Sequence, residues 1–241
     1  MRLLPAAAAL LTAAALPLAL AACTTGSPPA PAPDTAAASP PPAPSPAGPD
    51  AGLLTGAQLK GLLEPRAYFP HGYVRNPAGT RDTGPGYQQP GTTDVAKPEC
   101  RLLGATSWTS ITGISGVSFA EDAYTDKASS SEIAQEIDVY RGTTARAVMR
   151  KLGAVGAACP WYTDAQTGTR ATVSEKASTR FPEGGYVITV TDPAWRGGTT
   201  LVAARAGTAV VTVLSTDGPD NGHASAMRLA SQLVALLQGM A

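Results

Sequence analysis

Two rhythms of apolar residues run through the C-terminal part of this chain. Between residues 133 and 140, Ile133, Ile137 and Val139 alternate with Glu136 and Asp138, the period-two pattern of a half-buried strand. Residues 116–124 read as the strand before it, set off by the polar turn 125–130. The rhythm then lengthens. Ala145, Val148, Met149, Leu152 and Val155 recur at helical spacing behind a cap at Thr143 or Thr144, and Cys159 continues the same stripe. Residues 186–191, 199–205 and 209–214 return to alternation, with links at 196–198 and 206–207 short enough to demand antiparallel hairpins. Residues 171–177 read as one more strand. A closing helix over 224–237 carries Met227, Leu229, Ala230, Leu233, Leu236 and Leu237.

Upstream the pattern is weaker. Thr55 caps a short helix holding Leu59, Leu62 and Leu63 that ends at Pro65. Residues 66–99 are rich in Gly, Pro, Thr and Tyr without a period and read as a long loop, while 100–108 fits a short helix or a strand equally well. The sum is an α+β domain over residues 51–241: a mainly antiparallel sheet packed by two long helices on one face, a two-layer sandwich.

The first fifty residues belong to no such domain. Arg2 precedes an apolar run, 3–20, that is broken by Pro5 and Pro17 and closes on Leu20-Ala21-Ala22-Cys23. The three-part layout is that of a secretory signal, and the four last residues look like a bacterial lipobox. The expectation is cleavage after residue 22 and lipid on Cys23, where two acyl chains suffice for stable anchoring at roughly 0.8 kcal/mol per buried methylene. A membrane-spanning helix is the competing reading, weakened by the two prolines and the absence of a basic flank. Residues 24–50 are Pro, Ala, Ser, Thr and Gly with little to bury, the composition of a disordered stalk reaching up to roughly 80 Å in polyproline II form.

Export changes the meaning of the cysteines. Of three, Cys23 goes to lipid, leaving Cys100 and Cys159 as an even pair. In an oxidising compartment a disulfide is the default, with two buried thiols as the alternative. The 18 basic and 18 acidic residues cancel, which removes the electrostatic reason to expect nucleic acid as a partner.

A search for chemistry returns little. Gly113-Ile114-Ser115-Gly116 is one residue short of a nucleophile elbow, and His71 and His223 are the two histidines available as a base. Neither has neighbours at metal-ligand spacing. Residues 216–222 lack the ligand alternation of a calcium loop. No cofactor motif is present. The aromatic residues remain: Trp108, Trp161 and Trp195 flank predicted elements, and Tyr68, His71, Tyr73 and Tyr87 mark the long loop. Tyr68, His71, Tyr73 and Trp108 are the candidate ligand contacts, since aromatics with a polar handle suit binding surfaces.

Pro98-Glu99-Cys100, the strand Val117-Ser118-Phe119, the strand-helix piece from Ile137-Asp138-Val139-Tyr140 to Ala147-Val148-Met149, and Ala158-Cys159 stand in an order that resembles a known family. Residues 53–237 resemble the extracellular sensor domain of mycobacterial PknH-type Ser/Thr kinases, a domain also found on actinobacterial lipoproteins. The resemblance implies an antiparallel sheet packed by two helices, with a ligand-binding cleft. This chain has one of the two disulfides implied for the kinase sensor, and no kinase domain or transmembrane helix is read within it. The expected function is a non-enzymatic, sensor-like binding domain held by lipid at the outer face of the cytoplasmic membrane. Its partner would be a small molecule or an envelope protein. An extracytoplasmic hydrolase acting on envelope material and an accessory protein docking on another envelope protein are the alternatives.

Overall fold

Eight strands form one antiparallel sheet among residues 48–240, the range that this computed structural model describes. They are β1 (Tyr73–Asp82), β2 (Ser118–Asp126), β3 (Glu132–Val139), β4 (Trp161–Thr163), β5 (Arg170–Ala177), β6 (Gly185–Thr191), β7 (Thr199–Ala206) and β8 (Ala209–Ser215). The helices are α1 (Gly56–Lys60), α2 (Thr109–Thr112), α3 (Thr144–Leu152), α4 (Val155–Ala158) and α5 (His223–Gln238). The expected signal peptide, Cys23 and all but the end of the stalk lie outside the described residues.

The spatial order is β1-β2-β3-β8-β7-β6-β5-β4. After β3 the chain crosses by α3 and α4 to the far edge at β4. It then returns strand by strand until β8 fills the place beside β3. The central position of β8 explains its sequence. Buried on both faces, Ala209–Ser215 is a nearly continuous apolar run instead of an alternating one.

Side-chain parity divides the core in two. Ile133, Ile137, Val202, Ala204, Val211 and Val213 meet α5 through Ala226, Leu229, Ala230, Leu233, Val234 and Leu237. The opposite parity, Ala134, Leu201, Ala203, Val210 and Leu214, meets Ala145, Val148 and Leu152 of α3 with Trp108 and Ile111. The antiparallel α+β architecture is as expected. The layering is not: α3 and α5 take opposite faces, so the sheet lies between two helical layers instead of backing a single one. The physical reason is that β7 and β8 are apolar on both sides and need cover on both.

The stretch 66–99 is also more ordered than its composition promises. It holds a 3-10 turn at Arg66–Tyr68 and then β1, which pairs with β2. The strand is disguised by a bulge: from Asn76 to Arg81 β1 advances five positions while its partner advances two, from Ala123 to Glu121. Pro77 sits in that bulge on an edge strand, where its missing N–H is tolerated. Gly79 is needed there because a Cβ would run into Ala123. Cys100–Leu102 is a 3-10 turn, not a strand.

Three polar contacts fix the outer pieces. Thr55 and Gln58 form the capping box of α1. Gln135, fully buried beneath this segment, accepts from Glu64 N at 3.0 Å and donates to Glu64 O at 2.8 Å. Cys100 and Cys159 are joined in a disulfide, with Cα atoms 5.5 Å apart. That bond ties the 3-10 turn at Cys100–Leu102 to the residue two places before β4.

Candidate functional site

Helix α5 packs along β7 and β8 and touches β3. Beyond it the sheet continues, and among the described residues no helix packs on the α5-facing side of β5 and β6. The local sequence is built for that exposure. Strand β5 turns Ala171 and Val173 into the α3-side core and leaves Arg170, Thr172, Ser174 and Lys176 on the other face. Across the ladder Thr172 pairs with Thr191, Ser174 with Thr189 and Lys176 with Val187.

Between this ledge and the first turns of α5 lies a groove of about 380 Å³. Ser174, Lys176, Ser178, Thr179 and Thr189 supply its polar side, with Val187 and Met227 as apolar contacts and His223 at the helix start. The helix begins here because Gly222 takes the left-handed conformation at φ 83° and comes so close to Ser215 that no Cβ fits. Among the described residues Lys176 makes no salt bridge. Hydroxyl groups, one cation and one imidazole over an apolar floor can hydrogen-bond and orient a polar ligand. A smaller cavity of about 220 Å³ lies at the other end of α5, between Leu54, Ala206, Ala209, Leu237 and Met240.

The four aromatic and histidine candidates do not share a site. Tyr68 is half-buried against the α5-side core, with the Arg228 guanidinium 5.8 Å from its ring centre. Tyr73 is buried in that same core, and its hydroxyl has no hydrogen-bond partner among the described residues. Burial, with the Asp217 carboxylate nearby, drives its pKa far up. His71 is exposed on the turn that leads into β1. Trp108 lies on the opposite side of the sheet, fully buried, with its indole N–H donating to Thr212 Oγ1 at 2.6 Å. Tyr87 is exposed and donates its hydroxyl to Leu53 O.

The groove residues were missed because their types are ordinary. The available signal was β5 itself, a strand apolar on one face and polar on the other in a domain whose central strands β7 and β8 are apolar on both.

A second cluster stands on the α3 side. Glu121 and Glu136 face each other across β2 and β3, with Arg81 on Glu121 at 2.6 Å. Thr106 Oγ1 lies 3.0 Å from Glu121 and 2.5 Å from Glu136. Burial, reinforced by the charge on Glu121, pushes the Glu136 carboxyl up to about 7. Asp138 is raised well above its usual range, first by burial and then by Glu136. One of its oxygens has no hydrogen-bond partner among the described residues. Glu136 and Asp138 are buried and belong to the core. Among the described residues no group of three or more His, Cys, Asp or Glu is placed to hold a metal ion, and no helix is long and apolar enough to cross a membrane.

No protein-family model matches the chain, and no curated protein matches it in sequence. Among solved structures it is similar to the extracellular domain of PknH from Mycobacterium tuberculosis, with a TM-score of 0.54 at 13% sequence identity. The match covers 77% of this chain and 97% of that one. The likeness is one of fold, and it agrees with the fold that the resemblance in sequence implies.

Proposed function

We propose that this chain is an exported lipoprotein, anchored through Cys23, whose domain binds a ligand without turning it over. The carrying observation is the ledge of β5 and β6: a polar sheet face with a helix beside it but, among the described residues, none on top. A sheet face that another part of the domain covered would carry apolar residues. The ledge instead presents Ser174, Lys176 and Thr189 to solvent. Fold likeness to an extracellular domain, the disulfide and the lipobox Leu20-Ala21-Ala22-Cys23 support an extracytoplasmic address. The groove replaces the 66–99 stretch as the seat of binding, since Tyr73 and Trp108 are committed to opposite cores.

Two measurements test this. The full chain, expressed with its signal, fractionates with membranes, and Cys23→Ser releases it or leaves it uncleaved. Native mass spectrometry of the protein taken from its own envelope shows a bound adduct, which Thr189→Tyr abolishes by filling the groove. A Thr189→Tyr protein that keeps the adduct, or a wild-type chain that hydrolyses envelope material, overturns the reading.

A further inference from the structure

We infer that the groove continues onto the sheet edge as a platform for an anionic glycan, with Trp161 stacking a sugar ring and Lys176 meeting its charge. This rests on the groove being the binding seat and goes on to name the ligand class.

The register carries the argument. Trp161 of β4 pairs with Thr172 of β5, which pairs with Thr191 of β6. Parity therefore puts Trp161, Thr172, Ser174 and Lys176 on one face, the face that also forms the groove. The five residues of strand from Thr172 to Lys176 span roughly 13 Å, and neighbouring strands stand about 4.8 Å apart, the footprint of a short oligosaccharide. Hydroxyls of Thr172, Ser174, Thr189 and Thr191 stand across that area as paired donors and acceptors.

Trp161 is 47% exposed, the largest side chain among the exposed hydrophobic residues described. It is held rather than loose. The Arg170 guanidinium lies 4.4 Å from its ring centroid, and the disulfide at Cys159 pins the chain two residues away. An immobilised indole among hydroxyl groups offers an apolar surface for the C–H face of a pyranose and polar groups for its hydroxyls.

Charge selects among glycans. Arg170 and Lys176 are cations on this face. The neighbouring acids are engaged elsewhere: Glu175 faces the other side and accepts from Gly156 N at 2.6 Å, and Asp164 binds its own turn at Gln166 and Thr167. Asp192 is buried and accepts from Thr169 and Ala194. Arg170 and Lys176 thus present two cations on this face, which suit a carboxylate or a phosphate on the sugar.

The test uses the full chain in detergent micelles and calorimetric titration with oligogalacturonates, phosphorylated mannooligosaccharides and uncharged mannooligosaccharides. Expected is binding of a charged series that quenches tryptophan emission and weakens with salt. Trp161→Ala weakens it at least about tenfold, with partial rescue by Trp161→Phe, and Lys176→Ala weakens the charged series alone. Both side chains are exposed, so melting temperature stays near wild type. Carboxylate and phosphate series distinguish the two sources of charge. No response to any glycan, while Thr189→Tyr still abolishes the native adduct, overturns the glycan inference and leaves the groove standing. Equal binding of charged and uncharged series overturns the charge assignment, and capture of a protein with no glycan response overturns the platform.

Discussion

Glu121 and Glu136 stand directly opposite each other on adjacent strands, and a single hydroxyl, that of Thr106, touches both. One hydroxyl hydrogen cannot serve two carboxylates. The arrangement is complete when Glu136 carries a proton, donates it to Thr106 and leaves the Thr106 hydrogen for Glu121, which also accepts from Arg81. Like charges in a cross-strand pair are otherwise destabilising.

Stability therefore depends on pH with a definite sign. The folded Glu136 carboxyl is raised from 4.5 to about 7, so the folded state binds more protons than the unfolded one between these values. The contribution is fully present below about pH 4.5 and is lost as pH rises through about 7; Asp138 acts in the same direction. Asp50, Asp82, Asp126 and Asp164 are lowered by hydrogen bonds and act oppositely, but in the range below about pH 4. Thermal melts of wild type should fall by several degrees from about pH 5 to about pH 8. In Glu136→Gln that slope should flatten; an unchanged slope would show that Glu136 is ionised throughout.

The Cys100–Cys159 bond closes a loop with a sequence separation of 59. In the chain-entropy account a loop of this size is worth about 4 kcal/mol. Reduction should lower the melting temperature markedly and, by freeing β4, shift the emission of Trp161. Thiol counting on denatured, unreduced protein checks the bond itself, and finding free thiols there contradicts it.

Trp108 is a core residue in this fold. Trp108→Phe removes the donor to a buried Thr212 hydroxyl and should cost about 1–3 kcal/mol in denaturant unfolding. Ligand uptake by native mass spectrometry should be unaffected. Lost uptake with unchanged stability is the opposite outcome and would return Trp108 to the binding surface.

Tyr73 and His71 separate in the same way. The Tyr73 hydroxyl is buried without a partner among the described residues, so Tyr73→Phe should be neutral or stabilising. His71→Ala, at an exposed turn, should change stability by less than about 0.5 kcal/mol. Chemical denaturation of both variants decides, and a large loss in either means an interaction absent from this structure.

How much of this was legible in the sequence follows from what each element depends on. Strand β8 and helix α5 declare themselves by local pattern, a run buried on both faces and a repeat of Leu at helical spacing. Strand β1 hides because Pro77 and Gly79 break its alternation at a bulge that only the pairing with β2 explains. β4 is three residues long and has no period to detect. The burial of Trp108 depends on Thr212, 104 positions away, and no local pattern carries that contact. The groove was illegible for a related reason. The polar face of β5 can be read from its residues, but where α5 stops short of it cannot.

The bulge of β1 and the brevity of β4 have a joint consequence. An open sheet has two borders, and each is a place where a foreign peptide can add itself by main-chain hydrogen bonds. Here one border is interrupted at Pro77 and flanked by Arg75 and Arg81, and the other offers three residues before the chain turns away. Strand addition finds no foothold at either. What this domain recognises it must meet broadside, through side chains on its faces, and copies crowded together can stay separate.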